Sequence, residues 1–132
     1  MVDEVFKIFV VEDDAWYNKL LVHALSMNPD YEIYSFFSAE ELMERLHEKP
    51  KVVTLDYRLP ETDGGEVLQK IKAFDKRSEV VIISAQSEIE TAVRLIKEGA
   101  FDYLVKTKDI RDRLLNAIQH IRNSEGLQKR IY

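Results

Sequence analysis

Short apolar runs alternate with longer segments of helical periodicity along this chain, and the alternation occurs five times. Runs of this length, rich in β-branched residues, are typical of buried strands in a parallel sheet. The predicted strands are Val5–Val11, Tyr31–Phe36, Lys51–Leu55, Glu79–Ile83 and Phe101–Val105. Helices of about 10–15 residues between such strands imply right-handed strand–helix–strand units. The pattern therefore predicts an α/β fold built on one parallel sheet.

Residues that cap or terminate helices bound the predicted helical segments. These segments run from about Ala15 to Met27, from Ser38 to about His47, from Gly65 to Phe74, from Ser87 to Gly99 and from Asp109 to about Arg122. Asp14 and Asp109 are expected N-caps. Ser38 and Ser87 are each followed three residues later by a glutamate, which is the spacing of a capping box. Gly99 is expected to end its helix in the left-handed conformation.

Two helices carry apolar stripes that are expected to pack against the sheet. The stripe of the last helix consists of Ile110, Leu114, Ala117, Ile118 and Ile121, and that of the helix after Ser87 consists of Ile89, Ala92, Val93 and Ile96. We interpret both stripes as core and assign no chemistry to them. Trp16 is also expected to pack, at the start of the first helix.

Composition narrows the class of protein. The 132 residues form one domain, and 24 acidic against 19 basic residues give a formal net charge of -5. That balance argues against a nucleic-acid-binding surface, which needs clustered Lys and Arg. Cysteine is absent, which excludes a disulfide framework and a zinc–thiolate site. The acidic Asp3 and Glu4 do not fit a secretory signal, and no apolar run reaches the roughly 18 residues of a membrane span, so a cytoplasmic protein is expected.

Four of the predicted strands lead directly into polar residues. These are Glu12 and Asp13 after the first strand, Asp56 after the third, Ser84 after the fourth and Lys106 after the fifth. The second strand ends without a charge. In the doubly wound, flavodoxin-like order 2-1-3-4-5, the second strand lies at the edge and the switch point lies between the first and third strands. The acidic residues therefore fall where such sheets bind ligands.

Three carboxylates in one cleft repel each other, by roughly 4 kcal/mol for two charges about 4 Å apart at an effective dielectric near 20. A hard cation with oxygen ligands relieves this repulsion, and Mg²⁺ commonly takes one or two carboxylates with phosphate oxygens. Lys106 can pair with Asp56 or with a phosphoryl oxygen, and the Ser84 hydroxyl can donate to the same group. Each residue alone has a plainer interpretation as a loop, turn or surface residue. The joint pattern favours a site for a divalent cation and a phosphoryl group.

Four motifs resemble those of the receiver domain of two-component response regulators. Val10–Asp14 resembles the acidic pair after the first strand, and Leu55–Gly64 resembles the phosphoacceptor motif with its proline and Asp-Gly. Ile83–Ala85 is similar to the segment with the switch hydroxyl, and Tyr103–Lys106 to the segment with the switch aromatic and the lysine. The resemblance covers about Val5 to Arg122. It implies a receiver domain over residues 1–122, with residues 123–132 as a helix extension or the start of a linker.

By this resemblance, Asp56 accepts a phosphoryl group from the phosphohistidine of a histidine kinase. Direct ligands of Mg²⁺ would be Asp13, the Asp56 carboxylate and the backbone carbonyl of Arg58, while Glu12 would act through water or as a longer ligand. Lys106 would neutralise charge on the transferring group. The implied protein promotes its own phosphorylation and dephosphorylation, and is not an enzyme that turns over an external substrate.

The resemblance also implies how the signal leaves the domain. Ser84 would move toward the new phosphoryl group, and Tyr103 would turn into the vacated space. This would reshape the face formed by the helix after Ser87, the fifth strand and the last helix, where an output domain or downstream protein would bind. The Glu98–Tyr103 stretch and the helical tail resemble receivers attached to transcription activators with an ATPase module. Formation of a homodimer through the last helices is left open.

Two alternatives to the phosphorylation-activated receiver function stay open. A Mg²⁺-dependent phosphohydrolase of the haloacid dehalogenase kind also uses an aspartate nucleophile, but Arg58 stands where its second acid is expected and no cap domain is present. A receiver-like interaction module that works without phosphorylation is suggested only by Thr107, which replaces the usual proline after the lysine. Because a non-proline cis bond costs about 2.5–4 kcal/mol, we expect the Lys106–Thr107 peptide to be trans.

Overall fold

The computed structural model describes the backbone of residues 5–131 and the side chains of residues 5–125, so Asp3, Glu4 and Tyr132 lie outside it. Its strands are β1 (Phe6–Val11), β2 (Tyr31–Phe36), β3 (Val52–Asp56), β4 (Glu79–Ser84) and β5 (Asp102–Val105). They form one parallel sheet in the order β2-β1-β3-β4-β5, which confirms the predicted fold. The predicted loop after β3 contains a short antiparallel hairpin that pairs Arg58–Leu59 with Thr62–Asp63.

Five α-helices connect or follow the strands. They are α1 (Ala15–Ser26), α2 (Ala39–Arg45, followed by a 3-10 turn at Leu46–Glu48), α3 (Gly64–Phe74), α4 (Ile89–Lys97) and α5 (Ile110–Ile131). The backbone of α5 continues beyond the end predicted at about Arg122. None of the described helices combines the length and the apolar content that crossing a bilayer requires.

Most of the predicted caps are present. The Asp14 carboxylate accepts a hydrogen bond from Tyr17 N–H at 2.9 Å, and the Ser38 hydroxyl accepts one from Glu41 N–H at 3.2 Å. Gly99 has a φ of 115°, a conformation that favours glycine, just after α4 ends. The capping box predicted at Ser87 is wrong, because α4 begins one residue later with Glu88 in the cap position and no side-chain cap bond.

The core has two layers, because alternate residues of β1 point to opposite faces of the sheet. Phe6, Ile8 and Val10 pack with α1 and α5, whereas Phe9 and Val11 pack with residues of α2, α3 and α4. The apolar stripe of α5 is buried in the first layer, as predicted. The candidate site lies at the edge of the sheet formed by the carboxyl ends of the strands.

The apolar stripe of α4 is exposed, contrary to the prediction. Ile89 is 79% exposed, and Val93 and Ile96 are also exposed, while Leu95 is fully buried. Leu95 is the α4 residue that belongs to the second core layer, so the helix contacts the sheet through a different side from its long apolar stripe. The expectation for Trp16 is also wrong, since its side chain is 70% exposed beside Tyr17.

Candidate functional site

The predicted site residues meet at the carboxyl edge of the sheet. Glu12, Asp13 and Asp56 each offer a carboxylate oxygen, and these three oxygens lie within 4.8 Å of one another. Parallel pairing of β4 with β5 sets Ser84 beside Val105. The backbone N–H of Lys106 continues this ladder by donating to the Ser84 carbonyl at 2.8 Å. The sheet register therefore gathers one hydroxyl, one ammonium and three carboxylates, as the sequence predicted.

Lys106 is shared between two carboxylates. Its Nζ lies 2.8 Å from Glu12 Oε1 and 3.4 Å from Asp56 Oδ2. The same Nζ lies over the ring of Tyr17, 4.4 Å from the ring centroid. Burial alone would lower the pKa of Lys106, but the contacts with Glu12 and Asp56 outweigh burial and raise it. Lys106 is therefore a fixed cation at neutral pH.

Glu12 is fully buried, which is unusual for a carboxylate. Its Oε2 accepts a hydrogen bond from Asp14 N–H at 3.1 Å, and its Oε1 forms the ion pair with Lys106. Burial raises the pKa of Glu12, and the neighbouring Asp56 adds to that effect while Lys106 opposes it. Burial and Glu12 likewise raise the pKa of Asp13. Three carboxylates thus lie close together, with the ammonium of Lys106 beside two of them.

Asp56 is 6% exposed at the end of β3, and the hairpin after it fixes its carboxylate. The N–H of Arg58 donates to Asp56 Oδ1 at 3.3 Å. The turn closes tightly, with Gly64 N–H donating to the Tyr57 carbonyl at 2.7 Å. A Cβ at Gly64 would lie 3.0 Å from Tyr57 Cα, so the glycine lets α3 start directly beside the Asp56 segment. The predicted role of the Arg58 carbonyl as a metal ligand stays a prediction.

Gln86, which sequence reasoning missed, connects the two predicted switch residues. Its N–H donates to the Ser84 hydroxyl at 3.1 Å, and its carbonyl accepts from the Tyr103 hydroxyl at 2.8 Å. Its side-chain oxygen also accepts from the Arg58 guanidinium at 3.4 Å. The β4–α4 loop therefore ties Ser84, Tyr103 and the hairpin after Asp56 into one network. An exposed glutamine in a loop gave no signal in the sequence.

Asn18, also missed, anchors the start of the site. It is buried on α1, and its amide donates to the carbonyls of Glu12 and Phe36 at 3.0 and 3.1 Å. These bonds hold the end of β1, where Glu12 and Asp13 follow, against the end of β2. A polar residue on the buried side of a helix was the available signal, since such a group needs a hydrogen-bond partner.

The loop after Lys106 has an ordinary backbone. The described residues contain no cis peptide, so the Lys106–Thr107 bond is trans, as predicted. The Thr107 hydroxyl contacts the Asp109 carboxylate, and Asp109 also pairs with Arg113 at 3.0 Å. These contacts lower the pKa of Asp109 and lie within the loop and the first turn of α5.

The donor set of this site fits a hard divalent cation. Three carboxylates converge within 4.8 Å, and the single ammonium of Lys106 pairs with two of them, Glu12 and Asp56. Mg²⁺ prefers carboxylate oxygens and keeps several waters. Asp13 is exposed, so the pocket is open to water and to a phosphate group on that side.

The fold and the site together define a class of protein: a flavodoxin-like domain with an acidic pocket and a lysine paired to two of its carboxylates at the carboxyl ends of the parallel strands. The sequence model of the family described as "Response regulator receiver domain" matches residues 8–119 of this chain. This chain therefore belongs to the receiver domains of two-component response regulators.

Individual relatives agree with this assignment. The chain is 36% identical over 130 residues to the transcriptional regulatory protein ZraR of Klebsiella oxytoca, covering 96% of this chain but 29% of that protein. It is 34% identical over 117 residues to the chemotaxis protein CheY of Listeria monocytogenes, covering 86% of this chain and 95% of that protein. The chain thus spans less than a third of one relative and nearly all of the other.

Solved structures of other proteins have a similar fold. The signal receiver domain of a putative Luxo repressor protein from Vibrio parahaemolyticus matches with a TM-score of 0.85 and 27% identity, covering 95% of each chain. A CheX–CheY–BeF3–Mg²⁺ complex from Borrelia burgdorferi matches with a TM-score of 0.78 and 25% identity, covering 88% of each chain.

Proposed function

We propose that this receiver domain is a phosphorylation-activated switch in which Asp56 accepts a phosphoryl group from a histidine kinase. The observation that carries the proposal is the position of the Asp56 carboxylate, 3.4 Å from Lys106 Nζ and within 4.8 Å of two further carboxylates. Phosphoryl transfer depends mostly on positioning and on positive charge near the transferred group. Both are present around Asp56.

The proposed transfer makes one bond and breaks one. An Asp56 carboxylate oxygen attacks the phosphorus of the kinase phosphohistidine, the N–P bond breaks, and the electron pair leaves with the imidazole. The product is an acyl phosphate on Asp56, and Lys106 holds one of its oxygens by a charge-assisted hydrogen bond. Asp13, Asp56 and the Arg58 carbonyl would hold Mg²⁺, with Glu12 beside them. When bound, this ion supplies positive charge that offsets the charge of the phosphoryl oxygens.

The network around Gln86 supports a route for the signal. The Ser84 hydroxyl accepts a hydrogen bond from Gln86, so its own proton is available to a new phosphoryl oxygen. A shift of Ser84 would pull on the loop that holds the Tyr103 hydroxyl, and Tyr103 would turn inward. The affected face consists of α4, β5 and α5. Its exposed Ile89, Val93 and Ile96 suit an output domain, a downstream protein or a second copy of this chain.

The output is inferred from relatives that are longer than this chain. Because ZraR is named as a transcriptional regulatory protein, we propose that the domain controls an attached or separate regulator of transcription, in the cytoplasm with its kinase. The similarity to CheY leaves a stand-alone regulator as the other form of the same switch. We expect this segment itself not to bind nucleic acid, since its formal net charge is -5.

The proposal is tested by the intact mass of the protein after incubation with Mg²⁺ and acetyl phosphate. We expect a single phosphoryl adduct that requires Mg²⁺ and is absent from Asp56→Asn. Asp112→Asn, which makes the same change on the exposed side of α5, should form the adduct like the unmodified protein. If no adduct accumulates, binding of beryllofluoride decides, because rapid dephosphorylation could remove the product. Failure of both would favour an interaction module that works without phosphorylation.

A further inference from the structure

The ring of Tyr17 is the contact of Lys106 that the proposed chemistry does not use. Tyr17 lies in the first turn of α1, and Lys106 Nζ stands 4.4 Å from its ring centroid. A cation over an aromatic face within about 6 Å is attracted by the negative face of the ring. We propose that Tyr17 is a positioning residue for Lys106, which holds the ammonium between Glu12 and Asp56; this inference rests on the proposed phosphoacceptor function.

The two carboxylates alone do not centre the ammonium. Glu12 Oε1 is nearer to it, at 2.8 Å, than Asp56 Oδ2, at 3.4 Å. The half-buried ring of Tyr17 restricts the position of the Lys106 side chain. Because the ring forms no ion pair, it leaves the N–H groups of the ammonium available to other acceptors. The ammonium therefore keeps its N–H groups for the two carboxylates and for a phosphoryl oxygen.

The loop after Lys106 gives the lysine little support of its own. Thr107 and the two residues after it are exposed, and the side chains of Thr107 and Asp109 form their contacts within the loop and the first turn of α5. The peptide after Lys106 is trans and lacks the rigid ring of a proline. A constraint from a separate element, α1, compensates for this freedom.

The ring and not the hydroxyl of Tyr17 carries this role. The hydroxyl oxygen is buried and has no hydrogen-bond partner within the described residues. It therefore fixes nothing, and its removal should leave the ring in place. This separates two substitutions at one position: Tyr17→Phe keeps the aromatic face, whereas Tyr17→Leu keeps apolar bulk and removes that face. Tyr17→Met serves as a second non-aromatic variant if Tyr17→Leu does not fold.

The experiment combines a spectroscopic and a binding measurement. By NMR, the ε-methylene protons of Lys106 should show an upfield ring-current shift in the unmodified protein and in Tyr17→Phe, and lose it in Tyr17→Leu. With Mg²⁺ present, beryllofluoride should bind about tenfold more weakly to Tyr17→Leu and within about twofold of normal to Tyr17→Phe. In a Lys106→Ala background, Tyr17→Leu should cause no further loss, because the residue it positions is gone.

Each outcome bears on the inference. A missing ring-current shift in the unmodified protein overturns it, whether or not the protein takes up beryllofluoride. Normal binding by a folded Tyr17→Leu also overturns it, as does an equal loss with and without Lys106, which would show that Tyr17 merely supports the fold. If the unmodified protein shows the ring-current shift but binds no beryllofluoride, the proposed function fails while the placement of Lys106 by Tyr17 stands.

Discussion

Thr54 is a polar residue inside the sheet. It lies in the middle of β3 and is 1% exposed, and its hydroxyl has no hydrogen-bond partner within the described residues. A buried hydroxyl of this kind costs about 1–3 kcal/mol relative to one that is satisfied. Among the described residues, no hydrogen bond joins the Thr54 hydroxyl to the carboxylates of the acidic pocket.

We expect Thr54→Val to raise the free energy of unfolding by about 1 kcal/mol, because the valine has the same shape without the unpaired hydroxyl. Urea denaturation measures the change. Thr91→Val is the matched control, since the Thr91 hydroxyl bonds to Glu88 at 3.1 Å on the surface, and this variant should not be stabilised. Equal effects of the two substitutions would contradict the account of Thr54.

Sequence reasoning found the site residues that follow strands and missed those that reach the site from elsewhere. Asp56 and Lys106 could be located because a parallel sheet brings all its carboxyl ends to one edge. Tyr17 and Gln86 act through contacts with residues distant in the chain, and neither residue type signals such a contact. Their roles depend on side-chain directions that the folded structure alone supplies.

At the level of single elements, α4 has one buried residue. Leu95 is fully buried, whereas Ile89 is 79% exposed on the same helix. We expect Leu95→Ala to lower the free energy of unfolding by about 2–5 kcal/mol and Ile89→Ala to change it by less than about 0.5 kcal/mol. Chemical denaturation of both variants tests this directly. Comparable losses would mean that Ile89 packs into the core after all.

The exposed stripe of α4 explains why its packing was predicted wrongly. Helical spacing identifies an apolar face, but it does not say whether that face meets the sheet or a partner. In α5 the stripe is core, and in α4 it is surface. The capping box at Ser87 failed for a related reason, because the Ser-x-x-Glu spacing fits a helix start that lies one residue too early.

The edge strand β2 is held by an ionic and aromatic cluster. Arg45 binds Glu48 at 2.6 Å and lies over the rings of Tyr34 and Phe36, 4.8 and 5.5 Å from their centroids. Lys7 binds the same carboxylate at 3.2 Å. The cluster links β1, β2, α2 and the 3-10 turn, and it depends on the charge of Glu48.

This cluster should make stability depend on acid pH. The hydrogen bonds from Arg45 hold the pKa of Glu48 at about 2, below its ordinary 4.5. Because the pKa is lower in the folded state, the stabilisation is complete above pH 4.5 and is lost as the pH falls toward 2. We expect the difference in unfolding free energy between the unmodified protein and Glu48→Gln to shrink over that interval. Urea titrations at several pH values measure it.

The exposed Glu44 on α2 gives the control for this prediction. Glu44→Gln makes the same chemical change one helical turn before Glu48, and its effect on unfolding free energy should be small at every pH. A pH-dependent difference for Glu44→Gln as large as that for Glu48→Gln would contradict the role of the cluster.

For the molecule as a whole, we expect repulsion within the acidic pocket to lower the stability of the metal-free fold. Asp13 adds a third negative charge beside Glu12 and Asp56 with one lysine among them. We expect Asp13→Asn to raise the melting temperature without Mg²⁺ by about 1–2 °C, a small effect because Asp13 is exposed and solvent screens its charge. Added Mg²⁺ should raise the melting temperature of the unmodified protein, since a ligand of the folded state stabilises it.

The same variant should respond less to Mg²⁺, because it lacks one of the proposed ligands of the ion. Calorimetric scans with and without MgCl₂ measure both effects, with NaCl at matched ionic strength as the control for screening. Asp112→Asn should behave like the unmodified protein. An equal gain from Mg²⁺ in Asp13→Asn and the unmodified protein would mean that the ion does not bind at this pocket.

The exposed side chain of Trp16 gives this protein an intrinsic fluorescence probe. It is the sole tryptophan of the sequence, its ring centroid lies 6.5 Å from that of Tyr17, and Tyr17 in turn contacts Lys106. Intrinsic fluorescence excited at the indole therefore comes from one position beside the pocket, with no background from other tryptophans. A phosphoryl donor, a metal or a kinase can be titrated against the unlabelled protein, with the emission of Trp16 as the readout.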